Sequence, residues 1–206
     1  MPDSTIPADA EAAATIGAAW NDLLAAARQA GYAVGEMIRV PATDDQLAAA
    51  ERGVGRRLPE QLSILYRLSD GQTDYTHLYR EPSRSRRREL GRWLGPLFGG
   101  GWDFRTLRQL ENDYRSWADL REQYTPEELA EEFDDVIEVR GSDPVKRRYT
   151  CADWIPFATD GGGNSLAVDL APEPGGRCRP GHRDRFRRGH APGGGPQRAG
   201  PAAAVR

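Results

Sequence analysis

The chain has 206 residues, enough for one domain of ordinary size with tails and for a core that needs no disulfide or metal to hold it. Hydrophobic residues make up 38%, and no run approaches the roughly 18 apolar residues of a membrane span, so a membrane partner is not expected. The opening stretch has neither a basic n-region nor an apolar h-region, which reads as no signal peptide and a cytoplasmic location. Cys151 and Cys178 fit a reducing compartment and give no metal-ligand spacing. The net charge of −3 hides two unlike parts: residues 177–206 hold eight arginines and one aspartate, net +7, which leaves −10 on residues 1–176. Lys146 stands alone against 27 arginines, and with abundant Ala, Gly and Pro this points to a GC-rich coding sequence.

Residues 1–10 read as a frayed tail. Over residues 11–30, Ile16, Trp20, Leu23, Leu24 and Ala27 fall on one helical stripe, and Gly31 closes it as a C-cap residue. Pro41 ends an extended piece, and Thr43 with Gln46 three residues on forms a capping box for a second helix. Leu47 and Ala50 face inward there, and Gly53 or Gly55 stops it. A third helix opens at Leu58–Pro59, with Pro59 in the first turn and Leu62, Leu65, Tyr66 and Leu68 as its apolar face; Ser69–Asp70–Gly71 ends it. Residues 80–101 read as a loop with six arginines from Arg80 to Arg92. Helical spacing returns over 103–124 through Phe104, Leu107, Leu110, Tyr114, Trp117 and Leu120. A short helix follows, with Thr125 as cap and Pro126 at its first position. The pattern then turns to β: VIEVR (136–140) is a short strand, and residues 147–160 and 164–170 flank a hairpin turn at Asp160–Gly161–Gly162–Gly163–Asn164.

Three segments in this order resemble the SUKH superfamily, which includes Smi/Knr-type cell-wall assembly regulators. They are Leu58–Pro59 through Asp70–Gly71, the helix over 104–120, and Trp154, Pro156, Phe157, Asp160 to Asn164 and Asp169. The resemblance covers roughly residues 14–175 and implies an α+β fold, a single domain over 11–176 with helices around a mixed, mainly antiparallel sheet. It also implies a non-enzymatic binding module. Bacterial members are mostly immunity proteins that neutralise toxins, and fungal members are hubs of cell-wall signalling.

No Walker, Rossmann or zinc motif occurs, so no cofactor, metal or catalytic residue is expected. The glycine turn at 160–164 could cradle an anion, but it leads into a strand rather than a helix N-terminus and reads as structural. Trp154 reads as core rather than ligand platform, and Cys151, set in a strand, as a small buried apolar residue. His77 has no Cys or Ser partner nearby for a catalytic dyad. The Arg84–Arg88 cluster reads as a solvated loop, because the surrounding chain is acidic and a nucleic-acid partner wants a basic face. The acidic run Glu127, Glu128, Glu131, Glu132, Asp134, Asp135 is either a wet helix face or a contact surface for a basic toxin domain, whose association it would speed. Leu62, Leu65, Trp117, Trp154, Phe157 and Val168 are the expected core.

From Arg177 onward Phe186 and Val205 are the only large apolar residues, too little burial to offset ordering entropy. The expectation is a disordered basic tail over 177–206, read out of frame, leaving the sheet truncated at its C-terminal edge. Codons permitted for Arg177 to Arg183 spell Gly-Ala-Gly-Gln-Val-Ile one nucleotide later, as the family resemblance would continue. The gene's codons for Arg177 to Pro180 test this: they must yield Gly-x-Gly-Gln one base on.

Overall fold

The structure is a computed structural model that describes residues 8–74, 85, 95–133, 148–171 and 202–205. The strand expected over 136–140, His77, the Arg84–Arg88 arginines and residues 172–201 lie outside the described residues. The chain divides into two compact units, Met1–Leu97 with Phe104–Arg108, and Phe98–Asp103 with Gln109–Arg206.

In the first unit, α1 (Ala8–Gln29) buries Trp20 and Leu24 and half-buries Ile16, Leu23 and Ala27, the stripe expected from spacing; it begins at Ala8, inside the stretch expected to fray. Gly31 takes φ +87°, and Tyr32 N donates to Ala27 O while Gly31 N donates to Arg28 O, which meets the helix's last carbonyls. A single turn, α2 (Val34–Met37), buries Val34 and Met37. In α3 (Asp44–Val54), Thr43 and Gln46 form the expected capping box, Leu47 and Ala50 are buried, and Gly55 closes the helix at φ +76°. In α4 (Glu60–Leu68), Pro59 stands just before the helix rather than within its first turn. The inward face is also shifted. Ile64 is buried with Leu62 and Tyr66, whereas Leu65, expected in the core, is half-buried. Helix α1 packs on α4.

The helix expected over 103–124 starts late. Asp103–Phe104 is a strand, β1, and the helix, α5, runs Leu107–Gln123. The reason is tertiary. Phe104 N donates to the buried Gln72 Oε1 at 2.9 Å, and Phe104 O accepts from Gln72 N at 3.0 Å, so neither group is left for a helix. Gln72 also accepts from Leu97 N and donates to Gly95 O, which satisfies most of its amide's bonding capacity. Phe104 then lies 5.0 Å from the Tyr66 ring and 6.2 Å from Trp20, the aromatic centre of this unit.

In the second unit, Trp117 of α5 clusters with Cys151, Trp154 and Ala167, and Tyr114 Oη donates to Ala152 O. Cys151 is buried but sits in the turn before the strand, not in it; Trp154 N donates to Cys151 O. Strand β2 (Trp154–Thr159) pairs antiparallel with β3 (Ser165–Asp169). The register slips between Pro156 and Ala158, so Phe157 is a bulge residue beside a proline that has no N–H to give a ladder. Phe157 is half-buried for that reason, packed edge-on to Phe98; Val168 is half-buried too, because only Ser165, Ala167 and Asp169 of β3 turn inward. Both were expected in the core. Of the last thirty residues, expected to lie outside the fold, Ala202–Val205 form β4, parallel to β3, and occupy the edge expected to be open. The sheet order is β1-β2-β3-β4, mixed in sense, and the architecture is α+β.

Candidate protein-binding face

Helix α6 (Pro126–Phe133) carries the four glutamates singled out by the sequence. Its start is fixed locally: Thr125 Oγ1 accepts from Glu128 N, and Glu128 Oε2 accepts from Thr125 N at 2.8 Å, a reciprocal capping box. Leu129 is the buried anchor of the helix, while Glu127, Glu128, Glu131 and Glu132 are all exposed. Glu128 therefore belongs to the helix's own cap, unlike Glu127 and Glu131. Glu127 and Glu131 stand four residues apart, a spacing at which like charges destabilise a helix, and the last turn has no basic residue. Asp134 and Asp135 of the same run lie outside the described residues.

Beside this face the end of α5, α6 and residues 148–150 enclose a groove of about 300 Å³. Tyr124, Pro126, Leu129 and Tyr149 give it apolar walls, with Glu127, Arg121 and Arg148 among its polar lining. Tyr124, 47% exposed, is one of two large apolar residues at the surface among those described. Arg121 is braced: Nη1 donates to Thr150 Oγ1 at 3.2 Å and the guanidinium lies 5.7 Å from the Tyr114 ring. Sequence reasoning missed Tyr124; its signal was an aromatic residue directly before a Thr-Pro helix start.

The other singled-out residues sit in structural positions. Leu58 is buried and donates its N–H to Glu51 Oε1. Asp70 Oδ1 accepts from Leu107 N at 2.8 Å, at the start of α5. Gly71 has φ +74°, and a Cβ there would meet Thr106 N at 2.5 Å. Trp154 and Pro156 are buried. Asp160 Oδ1 accepts from Gly162 N and Asn164 N, and its Oδ2 from Asn164 Nδ2; Gly161 and Gly163 take positive φ, so the five residues close the turn on themselves. Asp169 Oδ1 accepts from Ala171 N. Among the described residues no three His, Cys, Asp or Glu side chains come together to hold a metal, and no helix is long and apolar enough to cross a membrane.

Residues 41–180 match the model of the SMI1/KNR4 family, SUKH-1. Over 91 residues the chain is 31% identical to the "cell wall biosynthesis/cell cycle regulator smi1" of Schizosaccharomyces pombe, a stretch that covers 42% of this chain and 18% of that relative. The chain thus spans less than a fifth of the curated relative it matches. The family match takes in α3 through the β2–β3 hairpin, about two thirds of the sequence, and the chain belongs to the SMI1/KNR4 (SUKH-1) family.

Proposed function

We propose that this chain is a non-enzymatic protein-binding module, an immunity-type protein of the bacterial cytoplasm that neutralises a cognate toxin by covering it. The observation that carries the reading is the outer face of α6, where exposed glutamates with no basic residue in the last turn adjoin the half-exposed Tyr124 and its groove. An aromatic anchor is the composition of an interface centre, and the acidic outer face of α6, rather than the groove, whose lining also holds Arg121 and Arg148, favours a basic partner. Family membership supports binding over catalysis. No nucleophile–base pair has been found in the sequence, and the reading requires no cofactor. The test is co-expression with a toxin encoded beside this gene. Growth should be rescued, and rescue should weaken when Glu127, Glu131 and Glu132 are changed to Lys. Undiminished protection removes α6 from the reading.

One observation favours a second reading. The matched relative is described as a regulator of cell-wall biosynthesis and the cell cycle. A regulatory scaffold without a toxin partner would show no adjacent toxin gene, and its deletion would alter the cell wall.

A further inference from the structure

Two deeply buried polar atoms of the β2–β3 hairpin have no hydrogen-bond partner among the described residues: Trp154 Nε1 and Asp169 Oδ2. Trp154 is 1% exposed and Asp169 2%. The two are register partners across the hairpin, so their side chains leave the same face with Cβ atoms about 5 Å apart. Ala167, two residues from Asp169 on that face, packs in one cluster with Trp154, Trp117 and Cys151. The surroundings are therefore mainly apolar, where polar groups are as a rule hydrogen-bonded. Asp169 Oδ1 already serves Ala171 N at 2.9 Å, which leaves Oδ2 as the orphan.

The chemistry of the two orphans is complementary. Indole Nε1 is a donor only, and a carboxylate oxygen is an acceptor only. The occupant must accept from one and donate to the other. A metal ion cannot take an indole N–H as ligand, and an anion would face the carboxylate. We infer that Trp154 Nε1 and Asp169 Oδ2 form an internal hydration site, a single water that accepts from the indole and donates to the carboxylate. Water at such a place is part of the fold. It gives the Trp154–Asp169 pair a joint role that is independent of the binding face on α6: a polar tie across the far end of the hairpin from its turn.

The test is NMR on the full chain. Five tryptophans give five indole N–H signals, and Trp154→Phe identifies one by its loss. If that variant does not fold, cross-peaks to the Ala167 methyl assign the signal instead. In the unmodified chain the Trp154 indole proton should show a cross-relaxation peak to water with the sign of a long-lived bound molecule. Asp169→Asn should shift that indole signal more than the other four. Absence of the water peak, its replacement by a peak to a protein donor, or an indole signal unmoved by Asp169→Asn would overturn the site.

Discussion

Asp70–Gly71 and Asp160–Gly161 are the same two residue types in turns of the same handedness, with glycine φ of +74° and +68°. They are held in opposite ways. Asp70 and Gly71 meet the chain more than thirty residues away: Asp70 Oδ1 accepts from Leu107 N, and the Gly71 Cα lies against the backbone of Arg105 and Thr106. Asp160 meets only its own turn. Each of its side-chain bonds reaches no further than Asn164, and a Cβ at Gly161 would have nothing within 4 Å. A glycine can thus be required by φ alone or by φ together with a neighbour's backbone, and the two cases carry different costs.

The largest expected effect is at the tertiary turn. Gly71→Ala combines a left-handed backbone with overlap on Thr106 N that cannot rotate away, and should cost about 4 kcal/mol in urea unfolding. Gln72→Leu, next in line, strands the Leu97 N, Phe104 N and Gly95 O groups in the interior and should cost about 3 kcal/mol. At the local turn the effects shrink. Asp160→Ala loses three bonds on an exposed group and should cost about 1.5 kcal/mol, with Asp160→Asn recovering part of it. Gly161→Ala pays only for its φ and should cost about 1 kcal/mol. Equal costs for Gly71→Ala and Gly161→Ala, measured side by side, would break the distinction between the turns.

The candidate face was partly legible before folding. Four glutamates near Thr125 and Pro126 were visible in the sequence, but the commitment of Glu128 to the cap, the burial of Leu129 and the groove beside Tyr124 depend on where α5, α6 and residues 148–150 come to lie. The same holds for the arginines of 80–92, whose reading as a solvated loop lies outside the described residues.

The features legible along the chain are local. The Thr43–Gln46 and Thr125–Pro126 helix starts, the Gly31 and Gly55 stops and the glycine turn of the hairpin all rest on bonds between residues no more than five positions apart, whose partners are read together along the chain. Placements that depend on distant partners were settled by the packing of the folded chain. Gln72, 32 residues from Phe104, takes that residue out of the helix its spacing announces. The arc of α4 turned inward selects Ile64 over Leu65, the slip beside Pro156 lifts Phe157 from the core, and the backbone of Ala202–Val205 comes to the edge of β3. Hydrophobic periodicity states that a residue can be buried, but which neighbour claims its backbone groups is settled only when the chain has folded.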